Sequence, residues 1–150
     1  MGHTYTNCLV HCVFSTKNRQ HILTSEMRAR LWPFMGGIAR SNGFTALEVG
    51  GYVDHAHILI ALPATLPIAK AMQEVKGGSS KFMNETFPGR HRFEWQEGYG
   101  AFSVSASARD TTIAYIRNQE KHHRVKTFEE EYIAFLKKNG ISYDERYVFG

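Results

Sequence analysis

The stretch Gly50-Gly51-Tyr52-Val53-Asp54-His55-Ala56-His57-Ile58-Leu59-Ile60-Ala61-Leu62 decides how the rest of the chain is read. Side chains on a strand alternate faces with period two, so His55 and His57 share one side and Ala56, Ile58, Ile60 and Leu62 share the other. The second side is apolar and is expected to lie in a core. On the first, the two Cα atoms are roughly 6–7 Å apart, which lets both imidazoles converge on one cation. A histidine pair at this spacing is a weak signal by itself. Its apolar strand supplies the rigid mount that a metal site needs. Such a site needs a further ligand and a reacting group, and the region around Tyr115 offers both.

Working outward, Thr45 to Val53 reads as a second strand, joined to His55–Leu62 by a tight turn near Asp54, which makes an antiparallel hairpin. Upstream, Tyr5 to Phe14 is a strand and Ser15 to Thr24 a polar, basic loop. Ser25 is the expected cap of a helix over Glu26–Ala39, with Met27, Leu31, Phe34 or Met35, and Ile38 at helical spacing. Pro33 is expected to kink or split that helix, and Asn42-Gly43 to stop it. Downstream, a helix opens at Leu66 or Pro67 with Ile68, Met72 and Val75 on one face. It either continues through Gly77-Gly78 towards Phe87 or breaks there. Short strands are expected over Arg92–Trp95 and Gly100–Ser105. Asp110 caps a helix from Thr111 to about His123. A last helix runs from about Thr127 to Lys138, acidic at its start and basic at its end, as the helix dipole favours. The aromatic tail from Ile141 to Gly150 is expected to dock. Strand, helix, strand, strand, helix, strand is the split β-α-β order of an α+β, ferredoxin-like antiparallel sheet. Helices cover one face, with further helices added at the C-terminal end. The other face is expected to be open, with His55 and His57 working there.

Tyr115-Ile116-Arg117-Asn118-Gln119 supplies the missing groups. On one helix, Tyr115 and Gln119 stand at i and i+4 and share a face. A glutamine carbonyl is an oxygen ligand for a hard cation such as Mg²⁺ or Mn²⁺, and a tyrosine one turn away can attack a phosphodiester beside it. His122 falls near the same sector as a metal or DNA neighbour. Lys76-Gly77-Gly78-Ser79-Ser80-Lys81 is small, polar and basic, suited to phosphates through backbone N–H groups and lysine charge. It lacks the Gly-Lys-Ser/Thr ending of a P-loop, which excludes nucleotide hydrolysis of that type. Lys76, Ser79, Ser80, Lys81, Arg90 and Arg92, with Lys17 and Arg19, are the candidate DNA contacts, and exposed aromatics would stack on unpaired bases.

The bulk numbers set the frame. The chain has 150 residues, 43% hydrophobic and 21% charged, with a net charge of +4 when its eight histidines are neutral. That suits one globular domain over residues 1–150 and mildly favours an anionic partner. No apolar run approaches the ~20 residues needed to span a bilayer, and no signal-peptide pattern opens the chain. Cys8 and Cys12 are read as reduced thiols of a cytoplasmic protein.

Taken together, Val53-Asp-His-Ala-His-Ile-Leu59, Lys76-Gly-Gly-Ser-Ser80, Trp95-Gln-Glu-Gly-Tyr-Gly100 to Ser105, and Tyr115-Ile-Arg-Asn-Gln-Glu-Lys-His-His123 resemble the single-tyrosine transposases of the HUH endonuclease superfamily, from small bacterial insertion sequences. The REP-associated tyrosine transposases are close relatives of that group. The resemblance runs from about Tyr5 to His123. It implies a divalent ion on His55, His57 and Gln119, with Tyr115 as nucleophile. It implies cleavage and rejoining of single-stranded DNA through a 5′-phosphotyrosine, at hairpin-bearing element ends. It further implies a homodimer in which the tyrosine helix docks in cis or in trans. The alternatives are a domesticated or inactive single-stranded DNA-binding relative, a nicking enzyme with another role, and a metal hydrolase with no covalent step. Tyr115→Phe separates them, because only covalent chemistry depends on the phenol.

Overall fold

The computed structural model describes residues 2–89, 91–123 and 125–150. β1 (Leu9–Ser15), β2 (Thr45–Gly51), β3 (His55–Ala61) and β4 (Gly100–Val104) form a four-stranded sheet in the order β2-β3-β1-β4, with every neighbouring pair antiparallel. Two long helices, α1 (Ser25–Ser41) and α2 (Ile68–Thr86), provide the crossovers. This is the expected ferredoxin-like α+β arrangement. After β4 come α3 (Arg109–Arg117), the short α4 (Gln119–His122) and α5 (Phe128–Lys138).

Period-two alternation sorts the strands into two faces. Val10, Cys12 and Phe14 of β1 and Ala56, Ile58 and Ile60 of β3 join Leu31, Met35 and Ala39 of α1 and Ala71, Met72 and Val75 of α2 in the main core. Register sets the opposite face: Ser15 pairs with His55 and Val13 with His57. Here the sequence expectation needs correction. α3, α4 and α5 cover this face, so His55 and His57 have no exposed surface. The reason is apolar: Val13 and Phe102 are buried by Phe128, Tyr132 and Leu136 of α5, and Leu9 and Leu59 by Ile116 of α3. Gly50 permits the approach of α3, since a Cβ there would stand 2.5 Å from the Ile116 carbonyl oxygen.

Several element boundaries also differ. Thr24, not Ser25, caps α1, accepting from the Met27 N–H. Pro33 leaves α1 unbroken, because the residue four before it, Ala29, is exposed and its carbonyl can turn to water. α2 runs through Gly77-Gly78 without a break. Arg92–Trp95 is not a strand; Trp95 contributes only a single bridge to Thr16. The helix expected over Thr111–His123 starts at Arg109 without a side-chain cap and breaks at Asn118. Thr127 caps α5 in a reciprocal box with Glu130. The tail docks as expected, placing Tyr143, Val148 and Phe149 against the α5 cluster. Cys8 is exposed and Cys12 buried, both as free thiols.

Candidate metal and tyrosine site

β3 aims the two histidines, and their neighbours fix the rings. His55 donates its Nδ1 proton to Asp54 Oδ1 at 2.7 Å. His57 Nδ1 lies 2.7 Å from Nε2 of His11, which sits on the same face of β1. Each pair member therefore has Nδ1 tied to a neighbour and Nε2 turned to the centre, which is how outer partners orient ligating histidines. Burial, then the neighbouring His57, pushes the pKa of His11 down to about 3, and burial also lowers that of His57. His11 is therefore a neutral ring at physiological pH.

The break at Asn118 lets Gln119 fold back over Tyr115, its Nε2 donating to the Tyr115 carbonyl at 3.3 Å. Gln119 Oε1 then faces His55 Nε2 at 3.1 Å and His123 Nε2 at 2.9 Å. Glu131 enters from α5 with 1% exposure. Its Oε1 lies 2.9 Å from His57 Nε2, 3.3 Å from His123 Nε2 and 3.6 Å from His55 Nε2. Its Oε2 accepts a hydrogen bond from the Tyr115 hydroxyl and lies 3.5 Å from His122 Nε2. Tyr115 Oη and His122 Nε2 are themselves 3.2 Å apart.

The electrostatics follow from this crowding. Burial pushes the Glu131 carboxyl up, but His57 and His123 outweigh it and hold it well below the usual carboxylate range. Burial, then the Glu131 charge, raises the Tyr115 phenol well above its ordinary value. His55 Nε2 faces Gln119 Oε1 and Glu131 Oε1, so nitrogen and oxygen donors converge on one buried point. The donor chemistry thus fits a metal ion: one ligand atom from each of His55, His57, His123 and Glu131 lies within 4.8 Å of the others. A cleft of about 300 Å³ opens beside Tyr115, walled by His11, His122, Glu131, Lys126 and Lys138 among others.

The structure brings Tyr115, His55, His57 and Gln119 together, and places His122 against the phenol. The residues singled out for DNA divide. Lys76 Nζ donates to the carbonyls of Gln96, Glu97 and Gly98 at 2.7, 3.0 and 2.8 Å. Ser79 is buried, giving its hydroxyl proton to the Val75 carbonyl and accepting from Trp95 Nε1. Both are committed inside the fold. Ser80, Lys81 and Arg92 line an outer cleft with Gly77, Asn84 and Glu85, and Arg90 lies outside the described residues. The sequence reading missed His11, His123 and Glu131. Glu131 did leave a signal, an acid on the same stripe as the buried Phe128, Tyr132 and Leu136.

A ferredoxin-like sheet with a histidine pair on its core strand and a tyrosine beside the same cluster defines a class: DNA-processing enzymes of the tyrosine transposase type. The family model described as "Transposase IS200 like" matches residues 4–119, and the chain belongs to that family. The chain is 29% identical to the transposase for insertion sequence element IS200 of Salmonella typhimurium over 127 residues, covering 81% of this chain and 80% of the relative. The IS200 transposase of Salmonella typhi matches to the same extent. Among solved structures, a candidate transposase from Deinococcus radiodurans R1 superposes with a TM-score of 0.64 at 26% identity, covering 79% of this chain and 96% of that one. A REP-associated tyrosine transposase bound to a REP hairpin shares the fold, with a TM-score of 0.59 at 14% identity over 82% of this chain and 73% of that one.

Proposed function

We propose that this chain, acting as one domain over residues 1–150, cleaves and rejoins single-stranded DNA at the ends of an insertion sequence through a covalent 5′-phosphotyrosine at Tyr115. The observation that carries the reading is the convergence of the Tyr115 hydroxyl, through Glu131, on the Nε2 atoms of the histidine pair. His55, His57 and Gln119 would hold a divalent ion, Mg²⁺ or Mn²⁺. When bound, that ion supplies Lewis-acid polarisation of the scissile phosphate and offsets the negative charge that develops there.

The chain's own groups do the rest. Tyr115 Oη attacks phosphorus; the Oη–P bond forms, the bond from phosphorus to the 3′ oxygen breaks, and that oxygen leaves as a 3′-hydroxyl. The phenol gives up its proton as the Oη–P bond forms and the 3′ oxygen takes one up as it leaves; Glu131 Oε2, already accepting the phenol's hydrogen bond, is placed to relay it. Left to these groups alone the proton stays on Tyr115, since the phenol is held up and the carboxyl down. Phosphodiester energy is kept in the new ester, so a second 3′-hydroxyl can reverse the step and join new partners. Lys126 and Lys138 in the cleft wall, and Ser80, Lys81 and Arg92 on α2 and its neighbouring loop, suit phosphates. The family setting supports hairpin-bearing DNA ends, a homodimer and a cytoplasmic site of action as parts of the same reading. No helix among the described residues is long and apolar enough to cross a membrane.

The test mixes the full chain with single-stranded DNA from both flanks of its gene and Mg²⁺ or Mn²⁺, then runs a denaturing gel beside Tyr115→Phe. A metal-dependent protein–DNA band that the variant lacks is the expected result. DNA binding with no band in the wild type would turn the reading to an inactive binding protein.

A further inference from the structure

Glu131 and His123 lie beyond residue 119, where the family match ends. They are nonetheless at the centre of the site. The Glu131 carboxylate is buried, and among the described residues its ionic partners are all histidines: His55, His57, His122 and His123. Among the described residues no lysine or arginine pairs with it, and a buried carboxylate is favoured by a positive charge beside it. Imidazole nitrogen and carboxamide oxygen ligate without charge, so His55, His57 and Gln119 alone would give a dication no anionic ligand from the protein itself. Each problem is the solution to the other. The spread of 4.8 Å across His55, His57, His123 and Glu131 is close to what one ion spans, with bonds of about 2.0–2.3 Å on either side.

We propose that Glu131 and His123 are metal ligands together with His55 and His57, and that the resulting three-histidine, one-carboxylate centre takes Mn²⁺ in preference to Mg²⁺. This rests on the reading of the histidine pair as a metal site given above. Imidazole nitrogens suit first-row transition ions, whereas Mg²⁺ favours oxygen ligands and retained water. The single carboxylate supplies the charge. Its second oxygen takes the Tyr115 hydroxyl, so one side chain ties the ion to the nucleophile. The docking of α5 is then part of building the site: the Thr127–Glu130 capping box fixes where the helix starts and hence that Glu131 points inward.

Isothermal titration of Mn²⁺ and of Mg²⁺ into the full-length protein tests this with a readout independent of DNA chemistry. The wild type should bind one Mn²⁺, and Mg²⁺ at least about 100-fold more weakly. Glu131→Gln should weaken Mn²⁺ at least about 100-fold, and His123→Asn at least about tenfold. Glu131→Asp keeps the charge but withdraws it by one methylene; it guards against a folding defect and should fall between wild type and Glu131→Gln. Mn²⁺ affinity unchanged or tighter in both Glu131 variants, with His57→Ala abolishing it, would overturn the inference and leave the His55, His57 and Gln119 site standing. Equal Mn²⁺ and Mg²⁺ affinities in the wild type would overturn the claimed preference. A wild type that binds no Mn²⁺ would overturn the inference together with the metal reading beneath it.

Discussion

The two faces of the sheet are built from the same strands, one residue out of step, and they do opposite things. Cys12, Ile58 and Ile60 point into a core built from apolar side chains, with the buried Ser79 hydroxyl bonded to Trp95 beside them. One position away, His11, His55 and His57 are just as buried, but their face holds imidazoles, a carboxylate, an amide and a phenol and opens to a cleft beside the half-buried Tyr115. The strand positions are equally buried, so what distinguishes the faces is their chemistry and the cleft that reaches one of them. The first face gains stability from area removed from water. The second accepts the cost of buried polar groups, offset by a hydrogen-bond network that leaves none of its described buried side-chain polar atoms without a partner. A one-residue shift of register would exchange the two, so the helices on both sides also hold the register that keeps the site in place.

Substitutions on adjacent residues of β3 break the comparison most sharply. His57→Ala should abolish saturable Mn²⁺ binding and lower covalent-adduct yield by at least about 100-fold, while its unfolding free energy in urea changes far less than its activity. Ile58→Ala, one residue on, should do the reverse. It should cost about 2–5 kcal/mol of stability in urea unfolding, with Mn²⁺ affinity kept in the folded protein. If both variants lost stability and metal together, the division of labour between the faces would be wrong.

His11→Phe sharpens the contrast within the polar face. It keeps a ring of similar shape beside Phe135 but removes the partner of His57 Nδ1. Mn²⁺ affinity should fall about 10–100-fold by titration, as losses of outer partners do. The same residue sets a pH dependence. Its pKa is pushed from 6.5 to about 3, by burial first and by His57 second. The unfolded chain thus takes up a proton near pH 6.5 that the folded chain refuses until about pH 3. The contribution is fully present above pH 6.5 and is lost as pH falls through that window. Melting curves of chelator-treated protein should show Tm dropping over this range, with a shallower slope in His11→Phe.

The smallest effect separates the thiols. Burial pushes the Cys12 thiol up to about 12, whereas Cys8 lies exposed before β1. A maleimide at neutral pH should modify one site, Cys8, and reach the second only in denaturant. Rapid modification of both in the native state would mean that the apolar face opens as readily as the polar one.

How far the sequence told this in advance varies with the range of the forces involved. Alternation in β3 and turn chemistry at Asp54 are local, and they yielded the hairpin, the sheet and the histidine pair. The i, i+4 spacing of Tyr115 and Gln119 pointed to two more residues that the structure brings to the histidine pair, even though the helix breaks between them at Asn118. What the sequence reading missed depends on long-range packing. α5 covers the histidines because Phe128, Tyr132 and Leu136 find Val13 and Phe102 on the sheet, and no local pattern says which face a terminal helix will cover. Glu131 arrives with that helix and His11 through the pairing of β1 with β3. Lys76 looked like a phosphate ligand because composition cannot show that three carbonyls of the 96–98 loop already hold its ammonium.

The central claim is that the polar face of the sheet is a metal site beside a nucleophilic tyrosine. Crystals of the full chain soaked in Mn²⁺, with data collected at the manganese edge, test it most directly. The account expects one strong anomalous peak within bonding distance of His55 Nε2 and His57 Nε2, next to Glu131 and Tyr115. Fully occupied histidines with no peak between them, or a peak only at surface carboxylates, would contradict it.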